Sequence, residues 1–183
     1  MIALALAAAA ASPTPTVYAI TRIGSDLAAD QVVGVKRAGM MCMRNGVIRW
    51  SDLAAGHAMD QREAVQDALE DADIAVTPLG ESAAADSKRV LRLRGVVRAA
   101  SANLCARHWL GDSKALSGEI GVTIEWRAES RATATVERRH ESVITRTIDA
   151  QHAAPAAALY RALLGDAARD LARWLSDPAS AER

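Results

Sequence analysis

The sequence predicts an α+β fold: a single, mostly antiparallel sheet of about five strands with two helices packed on one face. Three observations lead there. Several segments alternate apolar and polar residues with period two, as half-buried strands do. Two segments carry apolar residues at helical spacing. Their order is strand, hairpin, helix, three strands, helix, in which helices bracket a run of strands rather than alternating with each one.

Thr16 to Ile23 is rich in β-formers and reads as the first strand. Gly24 to Gly34 reads as loop. In Met40 to Trp50, Asn45-Gly46 stands between two apolar segments, a hairpin signal because a type I′ turn needs positive φ at both central residues. Ser51-Asp52 breaks the strand. From Met59 to Ala72, Ala64, Val65, Ala68, Leu69 and Ala72 form one face. Arg62, Glu63, Gln66, Asp67, Glu70 and Asp71 form the other. Asp60 with Glu63 resembles a capping box. Thr77-Pro78 and Gly80 close the segment.

Arg89 to Ala99 puts Leu91, Leu93, Val97 and Ala99 on one face and Arg92, Arg94 and Arg98 on the other. Glu119 to Ala128 alternates in the same way, with Ile120, Val122, Ile124, Trp126 and Ala128 inward. Ala132 to Ile148 is expected to pair with it through a turn at Ser130-Arg131. The last segment opens at Pro155, where a first helical turn tolerates proline. It carries Leu159, Leu163, Leu164, Ala167, Leu171, Trp174 and Leu175 as an apolar stripe. Arg161, Asp166, Arg169, Asp170 and Arg173 fall opposite, and Asp177-Pro178 stops it.

At 183 residues the chain has about one domain's length, with 50% apolar residues, 24% charged and no Phe. Its 22 basic and 22 acidic residues balance, which argues against a nucleic-acid binder. Met1 to Ala11 is an apolar run of about 15 Å as a helix, half of a roughly 30 Å hydrocarbon core. It is too short for a transmembrane anchor, but matches a secretory signal with Ala9-Ala10-Ala11 at the cleavage site, although no Lys or Arg precedes it. No Cys follows to take a lipid. The expected division is signal peptide 1–11, linker 12–15, one domain 16–177 and a tail 178–183, in a periplasmic or secreted protein.

Two cysteines, Cys42 and Cys105, fit that compartment. In an oxidising space an even count suggests a bridge, while in a reducing one both would be buried thiols. Three arginines, Arg92, Arg94 and Arg98, form a stripe with two readings. It is either a site for an anionic partner or a solvated strand face balanced by Glu125, Glu137 and Glu141.

Catalytic constellations find little support. Gly111-Asp112-Ser113 resembles the nucleophile segment of trypsin-like proteases, but Lys114-Ala115 follows where oxyanion-hole geometry needs glycines. His57, His108, His140 and His152 are scattered, and neither cysteine has a second one nearby, so no metal site and no cofactor is expected.

Three blocks resemble a small exported bacterial domain found alone or ahead of trypsin-like serine protease domains. They are Cys42-Met43-Arg44-Asn45-Gly46-Val47-Ile48-Arg49-Trp50-Ser51-Asp52, then Gly95-Val96 with Ala102-Asn103-Leu104-Cys105, then Gly118-Glu119 leading to Glu125-Trp126. The resemblance implies a bridge between Cys42 and Cys105 and supplies no catalytic residue. The strand–helix order also resembles periplasmic auxiliary subunits of lipid transporters.

The leading expectation is a non-catalytic exported module that binds a protein or a cell-envelope component, with an exposed sheet edge that would suit a homodimer. One alternative is an accessory of lipid or small-molecule transport, using a groove between helices and sheet near Leu163 and Leu171. Another is a hydrolase built on Ser113.

Overall fold

Alternation along the chain becomes a seven-stranded sheet in the computed structural model, which describes residues 16–54, 58–77, 89–108, 114–130, 132–150 and 156–177. The elements are β1 (Thr16–Ser25), β2 (Val32–Ala38), β3 (Met43–Arg49), α1 (Trp50–Leu53), α2 (Ala58–Glu70), β4 (Val76–Thr77), β5 (Arg89–His108), β6 (Lys114–Ser130), β7 (Val136–Ala150) and α3 (Ala156–Ser176). The expected signal segment, linker and tail, together with Ser113, His57 and His152, lie outside the described residues.

The α+β class holds, but the sheet is mixed rather than mostly antiparallel. Strand β5 is its spine. On one edge it pairs antiparallel with β6 along its whole length, and β6 pairs antiparallel with β7. On the other edge it pairs parallel with β1 through its first half and parallel with β2 through its second. Strand β4 adds a short parallel partner to β1, and β3 folds back on β2. Parallel pairing needs a crossover, and the stretch through α1 and α2 provides it. Period-two alternation reports which face a strand buries. It does not report its direction, so the sequence pattern could not separate the two kinds of sheet.

Both long helices pack on one face, over Ile20, Leu93, Val97, Ile120, Ile124 and Trp126. From α2 come Val65, Ala68 and Leu69, and from α3 come Leu163, Leu164, Ala167, Ala168 and Leu171. Alanine-rich helix faces let the helices sit close to the sheet, so a core without Phe still closes.

Three local departures matter. First, the hairpin turn is not Asn45-Gly46. Strands β2 and β3 are joined across residues 39–42, with Gly39 at φ 80° and Cys42 at φ 49°. Asn45 instead falls in a register shift between Lys36↔Gly46 and Arg37↔Arg44, so the Asn-Gly pair forms a bulge inside β3. Second, Val32–Ala38, expected mostly as loop or unassigned, is strand β2. Third, β5 has a register shift at Arg98, between Val97↔Ile124 and Ala99↔Thr123. The extra residue flips the alternation, so the inward positions change from Leu91, Leu93 and Val97 to Ala102 and Leu104. Ala99, expected inward, is exposed.

Candidate functional site

Strand register gathers arginines on the face of the sheet away from the helices. Arg22 of β1 lies beside Arg94 of β5, Arg94 lies beside Arg127 of β6, and Arg127 lies beside Arg139 of β7. Four guanidinium-bearing positions therefore form one row across four strands, with neighbours about 4.8 Å apart at the backbone. Arg92 stands two residues from Arg94 on the same face. Like charges directly opposite one another are unfavourable in a sheet. Some local compensation is expected, and it is supplied unevenly.

Glu125 is the compensating group. Arg98 donates to its Oε2 from Nε at 2.8 Å and from Nη2 at 2.6 Å. Arg127 Nε donates to its Oε1 at 2.6 Å, and Arg139 Nε approaches the same oxygen at 3.3 Å. Asp26 also pairs with Arg98. Hydrogen bonds from Arg127 and Arg98 hold the Glu125 carboxyl at about 2, well under the ordinary carboxylate value. Arg22, Arg92 and Arg94 are exposed, and among the described residues none of them closes a salt bridge. Glu129 lies opposite Arg92 without pairing to it, and Glu141 lies opposite Glu125. The patch thus brings six guanidiniums against four carboxylates.

The stripe read from the sequence divides accordingly. Arg98 is a tie between β5, β6 and the loop after β1. Arg92 and Arg94 are exposed and close no salt bridge among the described residues, and the partners that complete the row, Arg22, Arg127 and Arg139, come from other strands. No pattern within one strand reveals them, because the signal is register across strands. Of the acids expected to balance the stripe, Glu125 pairs with Arg98 and Glu137 pairs with Arg89.

The pairing at Glu125 has a pH signature. Its folded pKa lies below its unfolded one, so the stability it contributes is present above about pH 4.5 and is lost as pH falls toward about 2. Glu125→Gln is expected to flatten the acid limb of urea-midpoint measurements across that window and to leave the neutral limb unchanged in slope.

On the helix-facing side, β7 and α3 meet through a polar seam that sequence reading missed. Ser142, fully buried, accepts from Trp126 Nε1 at 3.1 Å and donates to Asp170 Oδ2 at 2.8 Å. His140 Nε2 donates to the same Asp170 oxygen at 2.8 Å, and its ring stacks on Trp174 at 4.9 Å between centroids. The Arg138 guanidinium lies 4.2 Å above that indole, and Arg146 pairs with Asp166 at 3.0 Å. Burial raises the Asp170 pKa, but hydrogen bonds from His140 and Ser142 outweigh it and leave the carboxyl below its ordinary value. Asp166 and Asp170 were expected on the solvent side of the last helix; instead they serve this seam. The signal was present as Arg138, His140, Ser142 and Arg146 at alternating positions of a strand facing Asp166, Asp170 and Trp174 at helical spacing.

Ser, His and Asp converge here with the carboxylate between hydroxyl and imidazole: both donate to Asp170 Oδ2, and no hydrogen bond joins Ser142 to His140 among the described residues. Leu163 and Leu171, the residues named for the helix–sheet groove of the transport alternative, are core residues at 1% and 0% exposure. An open depression of about 790 Å³ between helices and sheet is lined instead by Ala72, Ile144, Asp166, Arg169, Ala172 and Arg173 among others. An open depression of about 440 Å³ lies elsewhere, lined by Lys36, Val47, Ile48, Asp52, Leu104 and Leu116 among others.

Cys42 and Cys105 are joined, with Cα atoms 5.5 Å apart and a separation of 63 positions in sequence. The bridge fastens the β2–β3 turn to β5. No group of three His, Cys, Asp or Glu side chains suited to a metal occurs among the described residues, and no helix among them is long and apolar enough to cross a membrane.

No family model matches the chain, and no curated protein matches it. Solved structures with a similar chain path include protein XCC0632 from Xanthomonas campestris, of the family DUF330, at 15% identity and a TM-score of 0.49, covering 94% of this chain and 91% of that one. A minor lipoprotein from Acinetobacter baumannii is similar at 13% identity and a TM-score of 0.38, over 64% of this chain and 84% of that one. A PelC dodecamer from Paraburkholderia phytofirmans is similar at 12% identity and a TM-score of 0.38, over 89% and 93%.

Proposed function

We propose that this chain is a non-catalytic, exported module of the bacterial envelope that binds an anionic envelope polymer through the outer face of its sheet. The observation that carries the reading is the row Arg22–Arg94–Arg127–Arg139 with Arg92 beside it, of which Arg22, Arg92 and Arg94 close no salt bridge among the described residues. A planar guanidinium pairs bidentately with carboxylate or phosphate. A row of them spaced by the strands offers such pairing repeatedly along one line, which suits a chain of anionic groups. The signal-like Met1–Ala11 and the Cys42–Cys105 bridge support export. The bonding order, with Asp170 between a buried Ser142 and a half-buried His140, supports a non-catalytic role. Such a module agrees with the domain type that occurs alone or ahead of trypsin-like proteases.

The test is binding of the purified chain to a labelled polyuronate and to inorganic polyphosphate, followed by anisotropy across a salt series. Arg22→Gln/Arg92→Gln/Arg94→Gln is expected to weaken binding at least tenfold and to reduce its salt dependence. Equal affinity for the triple variant and the parent chain, or no binding of either polymer, would refute the reading.

A further inference from the structure

A second surface lies at the β2–β3 hairpin and has a different chemistry. Among the described residues seven large apolar side chains are exposed, and five of them belong to this hairpin: Val32, Met40, Met41, Met43 and Val47. The three methionines are the most exposed of all, at 81%, 83% and 71%. Isolated exposed apolar residues are ordinary on a protein surface, but a concentration of this kind marks an interaction site. Methionine is unbranched and polarisable, so it adapts to an irregular apolar environment.

The tip is held in place rather than left loose. Cys42 lies between Met41 and Met43 and is tied to Cys105. Gly39 N–H donates to the Ala106 carbonyl at 3.1 Å, and Cys42 N–H donates to the Gly39 carbonyl at 3.2 Å. The exposed methionines are therefore presented by a turn fastened to the central strand.

Charge identifies the occupant. From Val32 to Arg49 the chain carries Lys36, Arg37, Arg44 and Arg49 and no acidic residue at all. Arg37 and Arg44 are cross-strand neighbours directly behind the tip. An apolar tip backed by cations matches the boundary of a bilayer with anionic headgroups, where apolar side chains enter the acyl edge and Lys or Arg meets phosphate. We propose that the hairpin tip docks on an anionic lipid surface, with Met40, Met41 and Met43 entering the headgroup–acyl boundary and Lys36, Arg37 and Arg44 meeting the phosphates. This site is separate from the arginine row and does not depend on it.

Co-sedimentation of the purified chain with vesicles of phosphatidylglycerol and phosphatidylethanolamine, against pure phosphatidylcholine, tests the proposal. Stronger binding to the anionic vesicles is expected, with at least a tenfold loss for Met40→Ser/Met41→Ser/Met43→Ser. Lys36→Gln/Arg37→Gln/Arg44→Gln should lose most of the preference for anionic over neutral vesicles. Met41→Trp is expected to blue-shift on vesicle addition and to be quenched by lipids brominated near the headgroup. Equal binding by the methionine variant, or an unshifted Met41→Trp signal, would overturn the proposal. So would self-association without lipid that the methionine variant abolishes, because the tip would then be a contact between copies. The Arg22, Arg92 and Arg94 variant is expected to bind vesicles through the tip as the parent does, which keeps the two surfaces distinguishable.

Discussion

Removing the disulfide, as Cys42→Ser/Cys105→Ala or by reduction, is expected to lower the unfolding free energy by about 4 kcal/mol. The bridge closes a loop across 63 positions of sequence, and in the chain-entropy model a loop of that size restricts the unfolded chain by about this amount. For a protein of this size the corresponding fall in Tm is about 8–16 °C. Part of the effect has a specific location. Strand β2 pairs with β5 only from Gly34↔Ala102 to Ala38↔Ala106, and β3 reaches the sheet solely through β2. Without the bridge, these few parallel pairs and the packing of Val33, Ile48 and Trp50 keep the hairpin on the sheet. Hydrogen exchange should therefore show lost protection first at Lys36–Ala38 and at β3, ahead of β6. Urea denaturation with and without reductant gives the free energy. A loss below about 1 kcal/mol would mean that β2–β5 pairing and the packing of Val33, Ile48 and Trp50 hold the hairpin unaided.

What could be read from the chain, and what could not, follows from the range of each signal. The alternation in Glu119–Ala128 and the stripe in Leu159–Leu175 are local and strong, and both became elements with the expected inward residues buried, save Trp174 and Leu175 at the end of the helix, which are half-buried. The bulge at Arg98 is also written locally, as a change of phase between Leu91-Leu93-Val97 and Ala102-Leu104. Uniform alternation misses it because Ala99 is apolar enough to pass as inward. The Asn45-Gly46 turn failed through competition: Gly39 and Cys42 both adopt positive φ, and the bridge to Cys105 fixes the turn there. Strand direction and cross-strand register are non-local. Hence the parallel pairs, and the row that joins Arg22 and Arg139 to Arg94, emerge only in three dimensions. The arginines of β5 were visible as a stripe, but the pairing of Arg98, which Arg92 and Arg94 do not share among the described residues, depends on Glu125 and Asp26, which come from elsewhere in the chain.

Gly95→Ala is expected to destabilise the protein by about 3 kcal/mol, although it adds only one methyl group. Gly95 lies directly opposite Trp126 on the helix-facing side of the sheet, and the indole covers it. A Cβ at Gly95 would come within 2.6 Å of Trp126 Cζ3 and 2.9 Å of Cε3, closer than carbon atoms tolerate. The indole cannot yield cheaply. It is 1% exposed, and its Nε1 donates to Ser142, which in turn donates to Asp170. Overpacking of a filled core costs about 1–3 kcal/mol. Displacing the ring also breaks the Trp126–Ser142 bond, and a buried polar group left without its partner adds about 1–3 kcal/mol. The mechanism predicts non-additivity. In a Trp126→Leu background, which removes both the ring and its hydrogen bond, Gly95→Ala should cost under about 1 kcal/mol, giving a coupling of about 2 kcal/mol in a double-mutant cycle. Equal costs in the two backgrounds would place the strain of Gly95→Ala in the backbone of β5 and not against the indole.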